Sequence, residues 1–104
     1  MIDRKQLAID FAKSLNHPEI EKIFLFGSVA REEDTKESDI DILIITHGIN
    51  DDLKISDNVY AKVMDILLET GEYLSVKMVP IEHYKTHLNS SFYINVKKEG
   101  ILIG

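Results

Sequence analysis

Residues 23–45 read IFLFGSVAREEDTKESDIDILII, and the fold follows from how that stretch divides. Two apolar runs, IFLF and IDILII, flank a Gly27-Ser28 turn and an acidic loop, and Asp39 and Asp41 stand at the head of the second run. Side chains on a strand alternate faces, so Asp39 and Asp41 share a face with Leu43 and Ile45 while Ile40, Ile42 and Ile44 take the other. Two neighbouring carboxylates raise each other's pKa unless a cation lies between them. At the mouth of a buried strand, their simplest use is to hold a hard divalent cation such as Mg2+. That ion is usually bound by one or two carboxylates plus substrate phosphates.

The Gly-Ser turn supplies the complementary half. Gly27 lets the backbone turn tightly or approach a ligand closely. Ser28 is expected as the N-cap of a short helix starting at Val29. Free N–H groups and a positive dipole end at such a turn favour phosphate, and Arg31 adds a planar cationic fork one turn on. One strand-turn-helix thus offers anion-binding groups and the next strand offers metal-binding groups. Together they describe a site for a metal-bound nucleoside triphosphate.

The pattern G-S-x-A-R, a short loop, then S-D-I-D followed by aliphatics resembles the minimal nucleotidyltransferases of the DNA polymerase β superfamily. Gly27, Ser28, Ala30, Arg31, Ser38, Asp39 and Asp41 carry the likeness, and the closing NVKKEGILI extends it over the chain. The resemblance implies a single-domain α/β (α+β) fold over residues 1–104, a mixed sheet flanked by helices. It also implies a nucleotidyltransferase that moves a nucleoside monophosphate onto a hydroxyl with loss of pyrophosphate. Mg2+ is the implied cofactor and ATP the expected triphosphate. In that scheme Asp39 and Asp41 hold the metal and carry catalysis, and Gly27, Ser28, Arg31 and Ser38 bind the nucleotide. Small proteins of this type often pair with a helical HEPN-domain protein, as antitoxin with toxin, which makes such a protein the expected acceptor.

The same comparison shows one departure. The superfamily usually supplies a third carboxylate from a later strand, in an apolar-Asp-apolar pattern. Here that strand reads Ser75-Val76-Lys77-Met78-Val79, which puts Lys77 at the third-carboxylate position. Two carboxylates facing a lysine suit one ion rather than the pair that two-metal phosphoryl transfer holds ~4 Å apart. The missing acid is also the candidate base for the attacking hydroxyl. Glu72 and Glu82 flank the strand but stand off the matching position. The alternative reading is therefore a catalytically impaired module that binds nucleotide or neutralises a partner by contact.

Composition sets the limits. A chain of 104 residues has room for one domain and a modest core. No apolar run approaches the ~20 residues of a membrane helix, and the opening MIDRKQ has no signal core, so no membrane association and a cytoplasmic location are expected. Zero cysteines leave no disulfide framework and no thiolate metal site. A formal charge of −6 argues against strong nucleic-acid binding by this chain alone, since phosphate neutralisation needs clustered Lys and Arg.

Along the rest of the chain, Asp3 caps a first helix with Leu7, Ala8, Phe11, Ala12 and Leu15 at helical spacing, and Pro18 follows its end. Residues 32–37 read as a solvated acidic loop. Asp51 or Asp52 is expected to cap a long helix over residues 53–70, with Gly71 ending it. Its apolar stripe, Val59, Val63, Ile66 and Leu67 widened by Tyr60, Met64 and Leu68, is core with a possible homodimer face. A third strand over 72–81, a short helix over 81–88, a final helix capped at residues 89–91 and an edge strand at 101–103 complete the order. His17 and His47 read as loop residues. His83 and His87, four apart, read as an exposed helix face rather than half a zinc site.

Overall fold

The computed structural model describes residues 2–47 and 52–104. Helix α1, Arg4–Ser14, begins where the Asp3 carboxylate accepts the Gln6 amide at 3.0 Å. Strand β1, Ile20–Phe26, leads directly into α2, Gly27–Ala30, and after a loop into β2, Ile40–Thr46. Helix α3, Asp52–Thr70, ends at Gly71, whose φ of +77° supplies the left-handed turn that glycine adopts without strain. The cap expected from Asp51 or Asp52 lies outside the described residues. Strand β3, Leu74–Pro80, α4, Ile81–Thr86, α5, Ser91–Glu99, and β4, Ile101–Leu102, follow in order. Ser90 caps α5 by accepting the Tyr93 amide at 3.3 Å.

The four strands form one mixed sheet in the order β3-β2-β1-β4. β1 pairs antiparallel with β2 and with β4, and β3 lies parallel to β2. The long α3 crossover makes that parallel pairing geometrically accessible, because parallel strands need a connection of a dozen or more residues.

Alternation along the strands builds two cores. Ile23, Leu25, Ile40, Ile42, Ile44, Leu74 and Val76 pack under α1 and α3. Phe24, Leu43 and Ile45 pack under α4 and α5, against Tyr84, Tyr93 and Val96. Asp41 falls on this second face by strand parity, at the strand end where the helices leave it open. The expected division of β2 into an aspartate face and an isoleucine face is thus the division between the two cores.

Candidate active site

Antiparallel pairing sets the end of β1 beside the start of β2: Phe26 is paired with Asp41, so Gly27 begins its turn where the carboxylate stands. Gly27 has φ +75°, and a Cβ built on it would fall onto the Asp41 carboxylate. Glycine is therefore required twice, for its backbone angle and for the room it leaves. The turn and the Asp41 carboxylate thus meet at one point, two residues past Asp39.

Ser28 differs from its expected role. Helix α2 starts two residues earlier than the sequence suggests, with extended Phe26 as its N-cap and no side-chain capping bond. Ser28 lies inside this single turn, and its carbonyl accepts the Glu33 amide at 2.9 Å. The physical reason is Gly27: its left-handed φ turns the chain hard enough for the helical turn to begin without a hydroxyl cap.

Arg31 is held by two acids. Its Nε lies 3.3 Å from Glu33 and its Nη1 3.3 Å from Glu99 on α5. The hydrogen bond that Arg31 donates to Glu33, reinforced by the charges of both acids, holds the guanidinium pKa above its ordinary value. Both pairs are solvent-exposed and weak individually, so an incoming polyphosphate can compete with them. A cleft of about 240 Å³ lined by Phe26, Gly27, Arg31, Phe92, Asn95 and Glu99 opens beside this arginine.

Asp39 is exposed and Asp41 half-buried. Burial first, and the Asp39 charge second, raise the Asp41 pKa, with Arg31 and then Lys77 opposing. A carboxylate short of positive charge, with a second acid near enough to raise its pKa, suits a divalent cation. Among the described residues no group of three His, Cys, Asp or Glu side chains converges as a metal cluster.

Lys77 stands on the aspartate face of β3, at the level of Leu43, one step along from the Ser75–Asp41 pair. Its ammonium lies 4.8 Å from the centre of the Phe92 ring rather than between the carboxylates, yet near enough to lower the Asp41 pKa. Ser38 is used by the loop: its hydroxyl accepts the Thr35 amide at 2.9 Å. Glu72 is bound to Arg4 at 2.8 Å, and Glu82 lies exposed in the first turn of α4.

The histidines stay outside the site. His47 follows the far end of β2 and lies 3.4 Å from Glu21, and His17 contacts Asn58 at 2.9 Å. His83 and His87 are both exposed and stack face to face with centroids 4.1 Å apart. His83 Nδ1 is taken by the Tyr93 hydroxyl at 2.8 Å, so the two rings do not converge on an ion.

Comparison with known proteins identifies the family. The family model "Polymerase beta, Nucleotidyltransferase" matches residues 9–104. The chain belongs to that nucleotidyltransferase family. Its members are enzymes, and the mixed sheet with its flanking helices is the family's polymerase β-like fold. A Methanocaldococcus jannaschii relative, named "putative protein adenylyltransferase", is 38% identical over 92 residues, covering 88% of this chain and 86% of its own. The crystal structure of a toxin–antitoxin with AMP-PNP superposes with a TM-score of 0.57 at 18% identity, covering 99% of this chain and 73% of that one. A mutant of the toxin–antitoxin MntA–HpeT superposes at 0.55 and 16% identity, covering 100% and 73%.

Sequence reasoning missed Arg4. It lies in the first turn of α1, yet its guanidinium contacts Asp34, Thr35, Lys36 and Glu72, some thirty and more residues away. No local pattern marks it. The acidic loop over residues 32–37 is exposed, as expected, and is tethered as well: Arg4 holds Asp34 at 3.1 Å and Lys5 holds Glu32 at 3.0 Å. The larger cleft of about 660 Å³ lies here, between the start of α1 and the loop, and two of its three lining bases, Arg4 and Lys5, are already paired with its acids.

Proposed function

We propose that this nucleotidyltransferase transfers the adenosine monophosphate unit of ATP to a hydroxyl on a partner protein, of the HEPN type, in an antitoxin-like role. The observation that carries the reading is the meeting of the Gly27 turn with the Asp41 carboxylate, two residues past Asp39 and set where a Cβ would otherwise stand. The relative's name supports a protein acceptor, and the AMP-PNP of the neighbouring toxin–antitoxin structure supports an adenine nucleotide.

In this reading the turn at Gly27 and Ser28 faces the β- and γ-phosphates, and Arg31 exchanges Glu33 and Glu99 for phosphate oxygens. Asp39 and Asp41 would hold one Mg2+, whose charge there would neutralise the α-phosphate oxygens. The acceptor oxygen forms a bond to the α-phosphorus as the α–β bridging bond breaks, releasing pyrophosphate and the hydroxyl proton. Ser38 shapes the loop that delivers Asp39. Positioning and charge neutralisation account for most of the rate.

The test is transfer of label from α-labelled ATP to the co-expressed partner. Asp41→Asn is expected to reduce it by at least about 100-fold, in line with loss of a group that stabilises transition-state charge. Label transfer at the wild-type rate by that variant would sink the mechanism.

Lys77 favours a second reading, a nucleotide-binding module of low turnover, since the aspartate face carries a lysine where family members usually place an acid. Lys77→Asp separates the two. On the second reading the variant gains metal-dependent turnover by roughly tenfold or more, the scale of a restored general base. On the first it leaves an already active enzyme little changed.

A further inference from the structure

The four contacts of Arg4 share a geometric consequence. Its Nη1 donates to the Thr35 carbonyl at 2.6 Å and to Asp34 at 3.1 Å, its Nη2 donates to the Lys36 carbonyl at 3.0 Å, and its Nε meets Glu72 at 2.8 Å. The Thr35 carbonyl also accepts the Ser38 amide at 3.1 Å. One residue beyond Glu72, the Tyr73 carbonyl accepts the Ile40 amide at 3.0 Å. Asp39 therefore sits between two amides, those of Ser38 and Ile40, and the acceptors of both belong to segments that Arg4 grips.

We propose that Arg4 is a positioning residue for the carboxylate pair. It fastens the loop before β2 to the start of β3, and so fixes the backbone on either side of Asp39 and the register of Asp39 against Asp41. The Arg4 side chain is only 13% exposed and Glu72 only 19%, so this arm of the clamp is partly shielded from water, while the bonds to the loop lie at the surface. Arginine suits the task because its planar fork presents donors in three directions at once. A lysine would bring one point charge and could not hold two carbonyls and two carboxylates together. The neighbouring Lys5–Glu32 pair touches the same loop but is open to solvent, at 36% and 77% side-chain exposure, which makes it the natural control. The proposal rests on the reading of Asp39 and Asp41 as the metal and nucleotide site.

The experiment compares wild type, Arg4→Gln, Arg4→Lys and Lys5→Ala by three readouts. These are amide hydrogen exchange in the protein alone, Mn2+ affinity by titration, and steady-state transfer from ATP. Arg4→Gln should speed exchange at Ser38 and Ile40 while leaving Leu25 and Ile42 protected. It should also weaken Mn2+ binding and lower kcat by roughly tenfold or more, the usual cost of losing a group that orients metal ligands. KM for ATP should stay near wild type, because the Gly27 turn is untouched. Arg4→Lys should fall short of rescue, and it serves as the folded variant if Arg4→Gln proves unstable. Lys5→Ala should match wild type throughout.

The proposal is overturned if exchange at Ser38 and Ile40 is unchanged in both Arg4 variants. It is equally overturned if those amides loosen while Mn2+ affinity and kcat hold, or if Arg4→Lys restores all three readouts. A wild type that binds Mn2+ without transferring label overturns the transferase reading alone, and Arg4 is then judged on exchange and affinity. A wild type that binds no Mn2+ overturns the metal reading and the positioning role with it.

Discussion

Asp41 concentrates the tension in this molecule between stability and use. Burial and the Asp39 charge raise its pKa, so the folded state binds this proton more tightly than the unfolded chain does. For a carboxyl raised in that way, stability is fully present below the unfolded value and is lost as pH rises through the folded one. The ligand-free protein at neutral pH thus carries an unfavourable charge. Asp41→Asn should stabilise it at pH 7, and solvent screening of this half-exposed site should keep the gain below about 1 kcal/mol. The difference from wild type should shrink on acidification toward the ordinary carboxylate range. Chemical denaturation of both proteins at pH 4 and pH 7 checks this: a variant less stable than wild type at pH 7 would mean that Asp41 makes favourable bonds in the empty site. Gly27, Asp39 and Asp41 stood out in the sequence because each is marked locally, a glycine closing one apolar run and two acids one residue apart opening the next. Arg4 was not, because every partner it holds beyond its own helix is placed by tertiary folding.

At the scale of elements, α3 shows how a pattern read as one stripe resolves into two. Ile55, Val59 and Val63 are buried against the sheet, whereas Tyr60, Met64 and Leu68, spaced by four, form an outer row. The helix period allows both, since residues 60, 64 and 68 lie about 40° apart around the axis and drift off the core-facing line. Tyr60 alone turns back, donating its hydroxyl to the Val76 carbonyl at 3.2 Å on strand β3. Ile55→Ala, at 4% exposure, should cost about 2–4 kcal/mol by opening a cavity. Leu68→Ala, at 78% exposure, should change stability by less than about 0.5 kcal/mol. Thermal or urea unfolding of the two variants decides, and a large loss for Leu68→Ala would show that the outer row is covered by another chain in solution. Element order and both helix caps on α1 and α5 were readable because caps and apolar spacing are local. The antiparallel approach of β1 to β2, which brings the turn to the acids, was not. Two apolar runs joined by a loop carry no statement of direction.

For the whole molecule, charge decides which acceptors it can serve. The net charge is −6, and the cations nearest the site are already engaged: Arg4 with Asp34 and Glu72, Lys5 with Glu32, Arg31 with Glu33 and Glu99, and Lys77 over Phe92. A protein that holds nucleic acid neutralises several phosphates at once, and about six such contacts make affinity fall roughly a thousandfold between 50 and 200 mM salt. Nothing in the described surface gathers that much unpaired positive charge around Asp39 and Asp41. The polyphosphate of one nucleotide is a smaller demand, because its metal travels with it and only Arg31 must change partners. Fluorescence anisotropy with a labelled single-stranded RNA and a labelled DNA duplex should accordingly show dissociation constants no tighter than about 10⁻⁴ M at 150 mM salt, the weak end of non-specific binding. Binding in the low micromolar range that weakens steeply with salt would return nucleic acid to the list of acceptors. It would also require a basic surface supplied by something other than this chain's own charge balance.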